Sequence, residues 1–402
     1  MADLLILIVG LIAAFTTAWI NGANNAANSI GTVVGSKAIE LRKALLYGSL
    51  AELVGAVLCG SLISMTLARD VVKFENVDDK LALIGMASAI IATTLWGLIS
   101  TVLKIPISIS QSIVAGIVGF SLMKLGVQSV NWPIMLKILV SWIFAPFISA
   151  LIAFTAQKAV LGTLVEHLSK LTVIIADLFL YTLLAAMTVP LFAAINKGSS
   201  PIISTALPLA MPLALITPFH LRLVKKRNSL KESNASRFIF KELLLYASIA
   251  MAFSHGAHDA ANAAGPLFII MHASGLWFTN SGEVLMFALL ISGIGISLGI
   301  IMWGYTVIET IGAKITLLTP ETGFLAQYAA SITIMTFVRL GIPVSTSACI
   351  VGGVIGVGLA RGLKYVDYRL LGKIFALWYL TIPAVASLSI GISYVLQVLA
   401  AI

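Results

Sequence analysis

Residues 21–28 read NGANNAAN, so Asn21, Asn24, Asn25 and Asn28 follow directly on the apolar run LLILIVGLIAAFTTAWI. Amide oxygens and exposed carbonyls ligate hard cations such as sodium, whereas hydrocarbon cannot hydrogen-bond them at all. A related stretch, GAHDAANAAG at 256–265, adds the carboxylate Asp259 beside His258 and Asn262. An ionised Asp at the centre of a membrane helix costs about 2.5–3.5 kcal/mol on insertion scales and needs a partner. A cation is one such partner, and a protonated oxyanion donating its O–H is another. Two Ser-rich stretches supply the opposite chemistry: IPISISQSIVAG (105–116), with Ser108, Ser110, Gln111 and Ser112, and IPVSTSACIVGG (342–353), with Ser345, Thr346 and Ser347. Pro106 and Pro343 break the preceding helices, and Ser or Thr ahead of an apolar run marks a helix start. A helix that starts inside a membrane presents free N–H groups and the positive end of its dipole, which attract an anion. The hydroxyls add donors. Gln111 adds an amide in the first stretch, where Ala348 stands in the second, so the two ends are unequal.

The elements that position these residues are membrane helices. The chain has 402 residues, 59% hydrophobic and 10% charged, with mean hydropathy +1.05. A soluble domain carries about 25% charged residues, so this chain cannot cover itself with a polar surface. Repeated apolar segments of about 17–25 residues fit helical spans, and the alternation expected of barrel strands is missing. Residues 4–20 lack a basic leader and a cleavage site and read as a retained helix. Cys59 and Cys349 lie in apolar stretches and read as packing residues, with no disulfide or thiolate metal site. The net charge of +9 gathers in loops, chiefly 220–241, and reads as a cytoplasmic loop, with no nucleic-acid partner.

The motifs recur. GANNAANSIG and GAHDAANAAG stand 234 residues apart, and the two Ser-rich stretches stand 237 apart, in the same order. The chain therefore divides into a first repeat at 1–130, linking helices and the basic loop at 131–240, a second repeat at 241–362 and a C-terminal helix at 363–402. Basic residues swap sides between the copies. Only Asp3 precedes the first helix, whereas the 220–241 loop precedes its counterpart. Lys37, Arg42 and Lys43 follow the first motif, and the matching 272–283 has neither Lys nor Arg; a single Lys124 is answered by Arg361, Lys364, Arg369 and Lys373. By the positive-inside rule the copies are inverted, a signature of secondary transporters. The expected fold is an all-α polytopic membrane protein of about ten to twelve transmembrane helices, some broken or re-entrant, in two inverted-topology repeats.

Other residues have two readings. Asn, Gly and Ser in membrane helices also glue helices together, but two motifs each duplicated at matched spacing favour a pocket lining. Gly22, Gly31, Gly256 and Gly265 allow close backbone approach or a re-entrant bend. His255 reads as a structural hydrogen-bonder, while His258 is a candidate for proton sensitivity. Glu52, in the apolar run ALLYGSLAELVGAVLCGSLI, is a coupling or gating candidate, with Ser292 as its expected match. Asp177 reads as structural and interfacial. No nucleophile–base–orienter set is present, which argues against an enzyme.

GANNAANSIGT, SHGAHDAANAAGP, IPISISQSIVAG and IPVSTSACIVGG, in that order, resemble the duplicated signatures of the inorganic phosphate transporter family, the PiT symporters, as does GISLGIIMWGYTVIETIGAKIT at 295–316. The resemblance implies phosphate bound between two inverted repeats and carried with sodium or protons; some relatives carry sulfate. It implies a phosphate site of Asn24, Ser108, Ser110, Gln111, Ser112, Asp259, Asn262, Ser345, Thr346 and Ser347. It implies a sodium site of Asn21, Asn25, Asn28, Ser108, Asp259, Asn262 and Ser345. Glu52 and His258 are coupling candidates; no catalytic residue and no cofactor is expected besides sodium as coupling ion. The expected function is sodium-coupled phosphate import by alternating access across the plasma membrane, with the N-terminus outside. Proton-coupled phosphate transport, a sulfate permease of the same fold and a passive anion channel are the alternatives, and a homodimer is left open. The sequence departs from the family's G-A-N-D at two places, Asn25 for Asp and His258 for Asn. Asp259 is thus the remaining carboxylate of the pair, and weaker cation binding is expected.

Overall fold

In hydrocarbon a backbone must satisfy its own hydrogen bonds, so the apolar segments become helices. The computed structural model describes residues 2–73, 77–103, 107–163, 170–195, 206–227, 232–274, 280–306, 308 and 318–401. In chain order the helices are α1 (Ala2–Gly35), α2 (Leu41–Cys59), α3 (Ser61–Met65), α4 (Asp79–Val102), α5 (Ile109–Lys124), α6 (Trp132–Thr163) and α7 (Lys170–Ile195). They continue as α8 (Leu207–Arg227), α9 (Glu232–Asp259), α10 (Ala261–Ala273), α11 (Ser281–Trp303), α12 (Pro320–Arg339), α13 (Thr346–Arg361) and α14 (Tyr368–Ala401). Among the described residues eight helical stretches, α9 and α10 counting together, are long and apolar enough to cross a membrane. The bent pair Leu41–Cys59 and Ser61–Asp70, at 53°, makes a ninth; α5 and α13 are shorter apolar helices. Pro106, Pro201 and Lys314 lie outside the described residues.

Burial sorts the spans. The most apolar windows of α4 and of α9–α10 are 67% buried, whereas those of α6 and α14 are 28% and 22% buried. The first group forms the interior and the second faces outward. α7 and α8 form an outer hairpin, joined by His220 Nδ1 at 2.6 Å from Asp177 Oδ2. Asp177 thus has a structural role, with a histidine of the next helix as its partner.

The two repeats interlock. α1 packs along α11 and α2 along α9, each first helix of one copy against the second helix of the other. The crossings need glycine. A Cβ on Gly22 would collide with the Ile296 carbonyl, and one on Gly256 with the Glu52 carbonyl. Gly55 meets the Phe253 carbonyl and Gly299 the Trp19 carbonyl in the same reciprocal way. These pairs put α2 and α11 in register at an offset of 244 residues, so Glu52 matches Ile296 and not Ser292. Ser292 instead donates to the Ala288 carbonyl within its own helix. The glycines serve close approach, and no re-entrant bend occurs at Gly22 or Gly31, because α1 runs unbroken from Ala2 to Gly35. In the second copy α9 and α10 meet at Ala260, where the backbone stays helical, so the two make one span.

The equivalence extends outward. Gly116 packs on Ala89 and Gly353 on Ala326, while Gly119 packs on Ala386 and Gly356 on Ala150. α14 therefore lies on α5 and α4 as α6 lies on α13 and α12. α12 ends at Arg339, ahead of Pro343, where Gly341 turns left-handed at φ +67° and its N–H reaches the Val338 carbonyl.

Candidate functional site

Asn21, Asn24, Asn25 and Asn28 fall at i, i+3, i+4 and i+7 of α1, one face of a helix. His255, His258, Asp259 and Asn262 repeat that spacing across the α9–α10 junction. All eight are at most 1% exposed. Ser108 and Ser345 cap α5 and α13 alike: each has extended backbone and accepts a hydrogen bond, from the N–H of Gln111 and of Ala348 respectively. One donor of each first turn is thereby satisfied, and the N–H groups ahead of it have no partner within the helix.

The two faces meet the two caps crosswise. Asn28 Nδ2 donates to Ser347 Oγ at 2.9 Å, and Asn262 Nδ2 donates to Ser110 Oγ at 3.1 Å. These are equivalent pairs, each joining one repeat to the other. In both, the amide oxygen is left without a hydrogen-bond partner while buried. Ser347 Oγ lies 3.2 Å from both Asn25 Oδ1 and the Ile107 carbonyl. A buried acceptor with no donor is costly unless something positive fills the place.

The carboxylate region is denser. Asn25 Nδ2 donates to Asn21 Oδ1 at 2.6 Å and to Asp259 Oδ2 at 3.3 Å. Thr346 Oγ1 donates to the same Oδ2 at 3.2 Å, and Asn21 Nδ2 donates to the main-chain oxygen of Asp259 at 3.3 Å. The Val344 N–H donates to His258 Nε2 at 2.8 Å, so the ring proton sits on Nδ1, which is 2.7 Å from Asp259 Oδ1. His255 lies between two carboxylates: its Nδ1 is hydrogen-bonded to Glu52 Oε2 at 2.8 Å, and its Nε2 is 2.9 Å from Asp259 Oδ2 but out of hydrogen-bond alignment. Ser29 Oγ donates to the other Glu52 oxygen at 2.9 Å. Both ring nitrogens can donate only when the imidazole holds two protons. With both carboxylates ionised, that trio then bears one net negative charge, sealed from water.

Three expected residues stand apart from this cluster. Ser112 gives its proton to the Ser108 carbonyl at 3.0 Å, within its own helix. Gln111 lines a separate apolar cavity, with its Oε1 unpaired. Asn24 Nδ2 donates to Thr101 Oγ1 of α4 at 3.0 Å. His255 does form the hydrogen bond expected of it, to Glu52, and its ring also lies against Asp259, for which the i, i+4 spacing was the available signal. Gln327, whose Nε2 donates to the carbonyls of Asn28 and Ser29 and to Thr32 Oγ1, sits in no motif and left no such signal.

The model of the phosphate transporter family matches residues 21–389. A Thermococcus kodakarensis protein named as a candidate phosphate permease is 32% identical over 98% of both chains. The Arabidopsis thaliana protein named inorganic phosphate transporter 2-1, chloroplastic, is 31% identical over 94% of this chain and 70% of its own length. A solved structure described as the sodium-dependent phosphate transporter superposes with a TM-score of 0.91 at 35% identity, covering 98% of this chain and 99% of that one. The chain belongs to the phosphate transporter family: it is a multi-pass membrane transporter of phosphate and not an enzyme.

Proposed function

We propose that the chain imports phosphate together with sodium by alternating access between its two repeats. One observation carries the reading: the equivalent amides Asn28 and Asn262 each grip a hydroxyl at the other repeat's helix start and leave a buried oxygen unpaired. Those oxygens suit sodium, a hard cation. The phosphate oxygens would take the N–H groups and hydroxyls at Ser108, Ser110, Ser345, Thr346 and Ser347, where two helix starts converge. Sodium on the amide side offsets the phosphate charge, which allows an anion to sit at low dielectric without Lys or Arg. Asp259 contributes charge to the cation and accepts an O–H from protonated phosphate. Sulfate has no such proton near neutral pH, which favours phosphate.

The packing of α6 and α14 supports a larger repeat unit than the motifs define, running through α6 in the first copy and α14 in the second. The swap of basic residues supports an N-terminus outside the cell membrane and a cytoplasmic 220–241 loop. The test is radiolabelled phosphate uptake into proteoliposomes under imposed sodium or proton gradients, with excess sulfate as competitor. Uptake driven uphill by sodium and resistant to sulfate is the expected outcome. Flux that never exceeds equilibrium would establish a channel.

A second reading has its own observation. Glu52, His255 and Asp259 form a buried row of titratable groups, with Glu52 hydrogen-bonded to His255 and His255 Nε2 2.9 Å from Asp259 Oδ2, residue types that mark proton relays in membrane carriers. Uphill uptake under a proton gradient without sodium, abolished by Glu52→Gln, would select it over sodium coupling.

A further inference from the structure

Past Cys59 the chain bends by 53° and runs on through Ser61–Asp70. Residues 61–72 lie as a strap against α10, α11 and α12 of the second repeat. The bend needs glycine, because a Cβ at Gly60 would meet the Ala56 carbonyl and the Leu289 side chain of α11. Past Met65 the winding loosens. The Val71 N–H reaches back five residues to the Thr66 carbonyl at 3.1 Å, a π-type turn of the sort frequent at functional sites.

The strap touches the second repeat at two places that lead to the site. On α10, Gly265 stands about one turn beyond Asn262, and a Cβ there would meet Leu67 Cβ at 2.9 Å and the Ser64 carbonyl at 3.1 Å. Arg69 lies over the Phe268 ring, 5.1 Å from its centre, another turn along. Ahead of α13, the Thr66 hydroxyl donates to the Gly341 carbonyl at 2.7 Å, four residues before the Ser345 cap. The far end of the strap is tied by main-chain bonds. The Lys73 N–H donates to the Ser129 carbonyl and the Asn131 N–H to the Val71 carbonyl, both at 3.0 Å, which sets Val72 opposite Val130. Ile63, Leu67, Ala68 and Val71 are fully buried, and Asn262 and Ser345 beneath the strap are 0% and 1% exposed. α9 and α10 make one span whose other end lies in the basic 220–241 loop, so the strap stands on the opposite side of the membrane.

We propose that residues 61–72 are the gate on that side, hinged at Gly60 and latched by the Thr66 hydroxyl on the Gly341 carbonyl. Release of the latch uncovers Asn262 on α10 and the start of α13, the second repeat's share of the site. Hinges are a few element-terminal residues that absorb the backbone change, and the Gly60 bend between α2 and α3 is such a place. The gate rests on alternating access, since a path open to both sides has no use for one.

A disulfide tests the motion. Val72 and Val130 form the non-hydrogen-bonded kind of antiparallel pair, with Cα atoms about 4.5 Å apart, within reach of a disulfide. In vesicles, the Val72→Cys, Val130→Cys protein should lose phosphate uptake at least about tenfold on oxidation and regain it on reduction. The parent chain, whose two cysteines are buried, should respond to neither treatment. Equal uptake by oxidised and reduced protein, with the cross-link verified by mass, would overturn the gate alone if the parent moves phosphate uphill. Parent uptake that never exceeds equilibrium would refute alternating access, and the gate with it.

Hydrogen exchange tests the latch without a cross-link. Thr66→Val keeps the branched shape and deletes the donor. Exchange at 61–72 and at the first turn of α13 should both quicken roughly three- to tenfold, the scale of one hydrogen bond, with α7 and α8 unchanged. An unchanged first turn of α13, whatever happens in the strap, would overturn the proposal, because the strap would then be a local packing element.

Discussion

Two copies of one helix face can be compared residue by residue in this molecule. In the first, Asn21, Asn24, Asn25 and Asn28 are all neutral amides. In the second, the same places hold His255, His258, Asp259 and Asn262. The frame is shared: Asn25 contacts Asn21 at 2.6 Å as Asp259 contacts His255 at 2.9 Å, and Asn28 and Asn262 reach hydroxyls 237 residues apart. Where the residue is the same, the geometry is the same: the amide joins the repeats and its oxygen is left unpaired. Where the residues differ, the charge differs. The second copy adds a carboxylate and two imidazoles, and Glu52 enters beside them from α2, where the first copy meets Ile296 of α11. The lesson is that inverted symmetry supplies the scaffold of the site, while its electrostatics are carried by one copy.

Six substitutions would break or sharpen this contrast. Asp259→Asn makes the second copy as neutral as the first and leaves His255 and Glu52 without their balancing partner. Removing one member of a buried charged pair costs about 3–5 kcal/mol, so phosphate uptake should fall at least a hundredfold, and a calorimetric melt should show a lower transition in the same protein. Retained uptake would mean that the charge asymmetry is idle.

Asn25→Asp makes the first copy as acidic as the second. About one order of magnitude tighter sodium dependence is expected, the scale of a 1.4 kcal/mol gain, read from uptake against sodium concentration. An unchanged sodium curve would remove Asn25 from the cation site.

Ser110→Ala and Ser347→Ala probe the shared frame. Ser110→Ala deletes the cross-repeat bond from Asn262, and Ser347→Ala deletes the one from Asn28 as well as those to Asn25 and the Ile107 carbonyl; at about 0.5–1.5 kcal/mol per bond, each should raise the phosphate concentration for half-maximal uptake at least roughly threefold. Ser347→Ala should have the larger effect, since Ser347 holds more bonds; a larger effect of Ser110→Ala would show that the anion leans on the start of α5. The smallest effect belongs to Ser108→Gly and Ser345→Gly, which delete the caps but keep their backbone freedom and cost a few tenths of a kcal/mol. Hydrogen exchange at the first turns of α5 and α13 should rise in parallel in both.

Much of the site was legible as residue types. Duplicated amides and hydroxyls in an apolar chain line something polar or glue helices together, and the basic loops betray the inversion of the copies. Other parts were illegible for a geometric reason. Each residue of a helix rotates its side chain by about 100°, so the direction of Gln111 depends on how α5 is turned against α6 and α14. The same holds for His255, which links Glu52, 203 residues earlier, to Asp259, four residues later. The match of Glu52 was misjudged because α2 and α11 differ in loop length, and only the glycine crossings reveal their register.

The sequence by itself determined that this chain lives in a membrane, that it is built twice in opposite senses, and which donors and acceptors are available, because transfer free energy and loop charge are summed along the chain. The tertiary structure alone decided which amide meets which hydroxyl, which oxygens are left unpaired and which carboxylates flank a histidine. Those contacts join residues as many as 322 positions apart, and their phase is set by the close packing of one helix on another, a property that no single segment contains.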